Sequence, residues 1–231
     1  AGSKVKIASL PTRYPQGGER QLIQAVLGRE VPMGGLPADV GVVVSNVSTA
    51  AAMGDAALGI VLTHRAVTVA GEVAQPVNLF VPIGTLFSDL LKAAGGEKSS
   101  GNLPPPFWEK GAPRRLIAGG PMTGRLLDSA DVPVTKGSAG LVVLPPQSFE
   151  EQNCIRCGAC ARVCPSRLMP FAIDAAVIAG KMAVCADYGA VQCISCGSCS
   201  FVCPARRYLA TRVTLSRNTL RRQMAAKNKP K

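Results

Sequence analysis

The sequence contains few aromatic residues, 4% of 231 positions, so it offers no series of stacking platforms for single-stranded nucleic acid. Charged residues are also scarce at 17%, whereas apolar residues make up 47%, a composition that excludes a disordered chain and can fill a core. The longest apolar runs, Val40–Val44 and Ala56–Leu62, fall far below the roughly 18–20 residues of a membrane-spanning helix. With His64 as the only histidine, the sequence shows no catalytic triad, carboxylate pair or histidine-based metal site.

Cysteine is absent before position 154, and all nine cysteines lie between Cys154 and Cys203. This clustering excludes a disulfide framework, which would distribute cross-links over the whole fold. Eight of the nine form two runs, Cys154–Pro165 and Cys193–Pro204, that share the pattern C-x2-C-x2-C-x3-C-P.

The spacing predicts two [4Fe–4S] clusters. Three thiolates separated by two residues each can reach three corners of one iron–sulfur cube, and Gly158 and Gly197 let the backbone turn closely around it. The proline redirects the chain, and in two-cluster ferredoxins the fourth cysteine of a run binds the other cluster. The predicted ligands are Cys154, Cys157, Cys160 and Cys203 for one cluster and Cys193, Cys196, Cys199 and Cys164 for the other.

Two zinc sites with four thiolates each are the alternative, although zinc ribbons usually show two separated C-x2-C pairs. The ninth cysteine, Cys185, has small apolar neighbours, so we expect a buried, unreactive thiol rather than a ligand. The spacer 166–192 is rich in Ala, Met, Ile and Val and predicts helices. Two neighbouring clusters form a path for electrons between a donor and an acceptor, rather than an active site.

The N-terminal part, residues 1–62, shows an α/β pattern. Residues 14–29 predict a helix opened by Gly17 and Gly18, a turn that can hold an anion on its backbone N–H groups. The predicted apolar face of this helix consists of Leu22, Ile23, Val26 and Leu27. Residues 40–45 predict a buried strand, followed by polar residues at the edge where open α/β sheets bind ligands.

Ser48 or Thr49 is expected to cap an Ala-rich helix over residues 50–57. The next segments predict strands at 65–73, 116–120 and 140–144, a helix over 85–95 and a Pro-rich connector at 103–108. These elements add no chemistry of their own.

Several segments carry a family resemblance, namely Tyr14–Leu22, Gly28–Pro32, Gly34–Gly41, Asn46–Val47, Arg65–Val73, Val81–Thr85, Gly119–Gly124 and Pro133–Gly137. They resemble RnfC, the ferredoxin:NAD+ oxidoreductase subunit, and more distantly the flavin subunit of respiratory NADH dehydrogenase. Together with the paired cysteine runs, the resemblance covers residues 10–209.

The resemblance implies an α/β multi-domain protein. Residues 1–62 would be the rear part of a flavin- and NADH-binding α/β domain, and 63–148 a β-grasp domain of the SLBB type. Residues 149–210 would be an α-helical ferredoxin domain with two clusters, followed by a basic tail over 211–231.

The resemblance also implies residues of a flavin site. In the dehydrogenase relatives the equivalents of Gly17, Gly18, Glu19 and Asn46 line the FMN and nucleotide site, although one carboxylate of the family's Gly-Glu-Glu loop is missing here. The Gly-rich FMN and NADH loop of the family is also missing, and no G-x-G-x-x-G occurs. The sequence has no signal-peptide pattern. Since the chain begins with Ala1 and not with Met, we expect a piece of a longer protein, and the resemblance implies that the full-length protein binds FMN.

By resemblance, the chain is an electron-transfer subunit of a membrane-associated ferredoxin:NAD+ oxidoreductase and translocase. Its implied partners are NAD(H), ferredoxin or a similar low-potential carrier, and the other subunits, with a peripheral position on the cytoplasmic face of the bacterial inner membrane. One alternative is a cobalamin reductase of propanediol metabolism with the same modules. Another is a non-catalytic scaffold or redox sensor whose clusters are structural.

Positive charge is concentrated at the C-terminal end. The net charge is +12, and residues 188–231 contain nine Lys or Arg and no Asp or Glu. The arginines after the last cysteine are Arg206, Arg207, Arg212, Arg217, Arg221 and Arg222, followed by Lys227, Lys229 and Lys231. Three hypotheses are open: a solvated helix with a disordered end, docking to anionic lipid or a membrane subunit, and attraction of an acidic electron carrier. Nucleic-acid binding is disfavoured, because no such motif accompanies the charge.

Overall fold

A computed structural model describes residues 5–96, 115–145 and 150–227. Its helices are α1 (Glu19–Leu27), α2 (Val47–Ala57), α3 (Phe87–Ala93), α4 (Ala159–Arg162), α5 (Pro170–Ile178), α6 (Met182–Asp187), α7 (Ser198–Phe201) and α8 (Leu209–Lys227). Its strands are β1 (His64–Gly71), β2 (Val77–Pro82), β3 (Arg115–Ala118), β4 (Arg125–Leu127) and β5 (Gly140–Leu144). Short 3-10 helices occupy Pro37–Val40 and Ala190–Gln192. The Pro-rich connector predicted at 103–108 lies outside the described residues.

The chain divides into two compact units, one formed by residues 1–47 and 151–231 and the other by residues 48–150. In the part of the chain that the structure describes, no helix combines the length and the apolar character needed to cross a membrane.

The unit of residues 48–150 contains a mixed five-stranded sheet with the order β2-β1-β5-β3-β4. β1 and β5 are parallel, with Val69 opposite Leu141, and the other neighbouring strands are antiparallel. Helix α3 packs on one face of this sheet and buries Leu90 and Leu91 completely. Burial of each leucine contributes about 1.5–3 kcal/mol, so α3 is a main source of stability for the sheet.

Strand β1 follows the alternation predicted for residues 65–73, with Val67 and Val69 fully buried against α3. It ends at Gly71, whose φ is +93°. A Cβ at this position would overlap the backbone carbonyl of Val143 on β5, so only glycine allows the two strands to approach this closely.

Two expectations for the N-terminal part are wrong. Residues 40–45 do not form a strand, and Val43 is 88% exposed. A strand requires a hydrogen-bonded neighbour, and none of the described residues pairs with this segment. Ser48 and Thr49 do not cap α2, because the helix begins one residue before Ser48 and includes both of them.

Helix α1 forms where the sequence predicts it and ends at Gly28, which adopts the left-handed conformation typical of a C-terminal cap. Its apolar face is only partly as expected. Ile23 is buried, but Val26 and Leu27 are about half exposed, at 47% and 49%. Within the described residues, no element covers this end of the helix.

The cysteine-rich part is helical, as the composition of its spacer predicts. Helices α5 and α8 pack together, and the buried cluster between them includes Ile173, Ala176 and Val213. The segment consists of two sequence repeats. Cys193 follows Cys154 by the same number of residues as the start of α8 follows the start of α5. The backbone therefore follows the repeat that the two cysteine runs define.

Candidate metal centres

The first candidate centre is a pocket at the N-terminus of α4. Gly158, in the left-handed conformation with φ 73°, turns the chain into this helix directly after the second cysteine of the run. The cysteines that line the pocket are Cys154, Cys157, Cys160 and Cys203. Three come from the first run and one from the second, which is the grouping that the sequence predicts for one cluster.

The second candidate centre is the repeat-related pocket at the N-terminus of α7, where Gly197 has φ 82°. The cysteines that line this pocket are Cys193, Cys196, Cys199 and Cys164. The structure thus brings together both predicted sets, and each run extends its fourth cysteine into the pocket of the other run.

Backbone N–H groups point at sulfur in both centres. In each run, the residue two positions after the first cysteine has a positive φ, 55° at Arg156 and 57° at Ser195. In this conformation Arg156 N–H donates to Cys154 Sγ at 3.4 Å, and Ser195 N–H donates to Cys193 Sγ at 3.3 Å. A left-handed non-glycine residue costs roughly 1 kcal/mol or more, and such strain is concentrated at functional sites.

The electrostatics of the thiols favour a positively charged ligand. Burial raises the pKa of Cys160 and Cys164. Burial, together with the neighbouring Cys193 and Cys196, raises the pKa of Cys199 to about 12. Thiolates gathered in such a place are stabilised when metal ions coordinate them, which couples metal binding to folding.

The arrangement of the cysteines along the chain favours clusters over zinc. Zinc ribbons usually show two separated C-x2-C pairs. Here each pocket combines three cysteines of one run with the fourth cysteine of the other run, which is the pattern of two-cluster ferredoxins.

A partly buried ion-pair network, centred on the buried Asp174, holds the chain that enters the first centre. Arg212 forms a bidentate pair with Glu151 at 2.6 and 2.7 Å and also donates to Asp174 at 3.0 Å. Arg207 donates to Asp174 at 2.7 Å and to the carbonyl of Gln152 at 3.1 Å. The hydrogen bond from Arg212 is the main reason why the pKa of Glu151 is lowered to about 2.

The basic tail is not simply a solvated helix. Two further arginines contact the second centre's own loop, since Arg217 donates to the carbonyl of Cys193 and Arg221 to that of Val191, both at 2.9 Å. Some of the positively charged side chains of the tail therefore form hydrogen bonds within the cysteine-rich part of the chain. Lys229 and Lys231 lie outside the described residues.

The predicted flavin residues lie in two places. Gly18 caps the N-terminus of α1, with Gly17 before it and Glu19 in the first turn, whereas Asn46 directly precedes α2. A Cβ on Gly18 would meet the end of the flexible Gln21 side chain, which can move aside, and would lie 3.1 Å from the carbonyl oxygen of Pro15.

An open cavity separates the segment before α1 from the end of α4. It is lined by Tyr14, Gln16 and Gln21 on one side and by Arg162 and Cys164 on the other. The Tyr14 hydroxyl donates to the backbone carbonyl of Cys196 at 2.5 Å, which fixes this segment beside the second centre. Burial raises the pKa of Tyr14.

Cys185 lines neither of the two cysteine pockets. Its side chain is fully buried between α5 and α6, where the thiol donates to the carbonyl of Ile173 at 3.8 Å. Burial raises its pKa, so the thiol stays protonated and unreactive at neutral pH.

Three protein-family models match the chain in order. The Nuo51 FMN-binding domain matches residues 1–55, the SLBB domain residues 66–126 and the 4Fe-4S dicluster domain residues 153–206. The C subunit of the proton-translocating ferredoxin:NAD(+) oxidoreductase complex of Clostridium ljungdahlii is 44% identical over 174 residues, 73% of this chain and 35% of that protein. The chain belongs to the RnfC family.

Two other members of this family show the same relationship. The C subunit of the Na(+)-translocating ferredoxin:NAD(+) oxidoreductase complex of Acetobacterium woodii is 40% identical over 176 residues, 74% of this chain and 37% of that protein. The C subunit of the ion-translocating oxidoreductase complex of Pseudomonas aeruginosa is 44% identical over 171 residues, 71% of this chain and 20% of that protein. The chain thus spans between a fifth and just over a third of the length of these RnfC proteins.

The family assignment confirms the expected α/β multi-domain class and the 4Fe-4S dicluster domain, with an FMN-binding and an SLBB part before it. Sequence reasoning missed the ion-pair network of Glu151, Asp174, Arg207 and Arg212. An alignment of the two repeats, with Cys154 placed on Cys193, would have pointed to it, because Arg207 aligns with Leu168 and Asp174 with Val213.

Proposed function

We propose that the chain relays electrons through two [4Fe–4S] clusters in an ion-translocating ferredoxin:NAD+ oxidoreductase complex. The observation that carries this proposal is the pair of pockets with four cysteines each, linked by an exchanged fourth cysteine. A single cluster would suffice to hold a fold together, whereas two adjacent clusters provide a route for electrons. The four cysteines of each pocket are the proposed ligands.

The two centres are joined by short segments of the chain. Cys160, in the first pocket, and Cys164, in the second, are separated by about one turn of chain at α4. Cys199, in the second pocket, and Cys203, in the first, are related in the same way at α7. The chain therefore connects the centres covalently by two short paths.

When bound, each cluster supplies one-electron chemistry between its 2+ and 1+ core states. The protein holds eight thiolates, aims the N–H groups of Arg156 and Ser195 at sulfur, and lines each centre with buried apolar residues, Leu209 in the first and Val213 in the second. Hydrogen bonds and limited solvent access are the means by which a protein sets cluster potentials.

On the donor side, we propose that Gly17, Gly18, Glu19 and Asn46 contribute to a site for FMN and NAD(H) in the longer protein. The match of residues 1–55 to the Nuo51 FMN-binding domain supports this, as do the backbone N–H groups at the start of α1. On the acceptor side, the proposed partners are other subunits of the complex and ferredoxin or a similar low-potential carrier. The proposed location is peripheral, on the cytoplasmic face of the bacterial inner membrane.

The decisive experiment is a combined assay of iron, acid-labile sulfide, zinc and flavin on one anaerobically purified and reconstituted sample. About eight iron and eight sulfide per chain are expected for two clusters. Zinc without sulfide would overturn the proposal. Bound flavin would mean that the residues present suffice for that site, and NADH-dependent reduction of the clusters is then the next assay.

Cysteine variants test the exchanged ligands. We expect Cys203→Ser to perturb the cluster that shares Cys154, and Cys164→Ser the cluster that shares Cys193, each seen as the loss or change of one of two electron paramagnetic resonance signals. Cys185→Ala is the matched control and should retain full iron content. If Cys203→Ser and Cys164→Ser altered the same signal, the assignment of ligands to centres would be wrong.

A further inference from the structure

The two centres differ in their hydroxyl groups. Three serines and a threonine of the second repeat occupy positions whose equivalents in the first repeat carry no hydroxyl. The pairs related by the repeat are Ser195 and Arg156, Ser198 and Ala159, Ser200 and Ala161, and Thr214 and Ala175.

Only one of these hydroxyls contacts a cysteine sulfur. Ser198, the first residue of α7, is 3% exposed, and its Oγ lies 3.4 Å from Cys196 Sγ. Ser195 instead pairs with Thr214 at 2.9 Å, and Ser200 accepts a hydrogen bond from the N–H of Ala210 at 2.8 Å. At the equivalent place in the first centre, the side chain of Ala159 has no hydrogen-bond donor for Cys157.

A ligated cysteine is a thiolate and has no proton to donate, so the hydroxyl of Ser198 must be the donor in this contact. Reduction of a cluster adds one electron and one negative charge, part of which is carried by the sulfur ligands. A hydrogen bond to that sulfur becomes stronger in the reduced state, because donors to charged acceptors bind more tightly. The bond therefore stabilises the reduced state.

We infer that Ser198 raises the reduction potential of the cluster held by Cys193, Cys196, Cys199 and Cys164, an effect that Ala159 cannot provide in the first centre. This inference rests on the proposed function, since it requires both clusters to be present. The burial of Ser198 strengthens the effect, because a hydrogen bond is electrostatically stronger where the local dielectric is low.

The first centre has different features that act on its own potential. Cys154 and Cys157 are exposed to solvent, and Arg207 is one of the residues that line this centre. The test of the Ser198 contact is therefore the shift that a substitution causes within one centre, rather than the order of the two potentials.

The experiment is a potentiometric titration of the reconstituted chain, with dithionite as the one-electron donor and electron paramagnetic resonance as the readout. For Ser198→Ala we expect the midpoint of one cluster to fall while the other stays unchanged. A hydrogen bond of ordinary strength corresponds to a roughly threefold to tenfold change in the reduced-to-oxidised ratio, equivalent to about 28 to 59 mV for one electron.

Two further variants complete the design. Ser200→Ala removes a hydroxyl from the same helix without removing a contact to sulfur, so both potentials should stay as in the parent. Ala159→Ser adds the hydroxyl to the first centre and should raise the potential of the other cluster.

The outcomes separate the inference from the function on which it rests. Full iron and sulfide with unchanged midpoints in Ser198→Ala would overturn the role of Ser198 and leave the relay intact. An equal fall in Ser200→Ala would also overturn it, because the effect would then come from helix packing. Samples without iron and sulfide would refute the proposed function itself.

Discussion

The ion pair between Arg207 and Asp174 can be replaced by an apolar pair that the protein already uses. The repeat equivalents of these residues are Leu168 and Val213, which lie in the apolar core beside the second centre. Asp174 is 1% exposed and lies 2.7 Å from Arg207. The perturbation is the double variant Arg207→Leu/Asp174→Val, compared with each single change.

Removal of one partner from a buried ion pair usually costs about 3–5 kcal/mol, because the other charge is left without compensation. Here Arg212 stays 3.0 Å from Asp174 in Arg207→Leu, so we expect a cost somewhat below that range, about 2–3 kcal/mol. Asp174→Val leaves Arg207 with Glu151, at 3.8 Å, as its charged partner, beside its hydrogen bond to the Gln152 carbonyl, and should cost about as much. The double variant should lie within about 1 kcal/mol of the parent, since apolar replacements of a whole pair are often neutral.

The assay is urea unfolding followed by far-ultraviolet circular dichroism, on anaerobic samples matched for iron content. The pair Lys92–Asp89 is a suitable control, because it has a 3.0 Å contact but exposed side chains, and Lys92→Ala should cost no more than about 0.5 kcal/mol. Additive losses in the double variant, or a neutral Arg207→Leu, would refute the reasoning, because the coupling between the two positions would then be absent.

Two predictions concern other parts of the chain. Since the pKa of Glu151 is lowered from 4.5 to about 2, chiefly by Arg212, its stabilising effect is complete above its unfolded pKa and is lost as the pH falls. The stability difference between the parent and Glu151→Gln should therefore shrink between about pH 5 and pH 3, and a constant difference would contradict this. Gly71→Ala should lower the melting temperature strongly because its Cβ overlaps the Val143 carbonyl, whereas Gly84→Ala, with a similar φ of +103° but open space, should lower it less. Equal decreases in melting temperature would mean that the positive φ, and not the overlap with the Val143 carbonyl, causes the loss of stability.

The sequence was most informative where function depends on local spacing. The interval between cysteines anticipates both pockets, and the alternation around Val67 and Val69 anticipates a strand with one buried face. These features depend on residues close together in the chain, so a pattern can reveal them.

Features that depend on distant partners were not predictable in the same way. Residues 40–45 have the composition of a strand, but pairing depends on a neighbour that the segment itself does not determine. The bond between Arg212 and Glu151 joins residues 61 positions apart, and no local pattern marks it. The proposed flavin residues stay a prediction, because they rest on the family resemblance.

The exchanged fourth cysteine constrains how the two repeats can evolve. Each repeat encodes four cysteines, yet three belong to one pocket and the fourth to the other. A gene that kept one repeat would encode one incomplete centre and one orphaned thiol, so gradual loss of one repeat leads through defective intermediates. The two repeats can still diverge in sequence as long as both are kept. The difference between Ser198 and Ala159 is an example of such divergence.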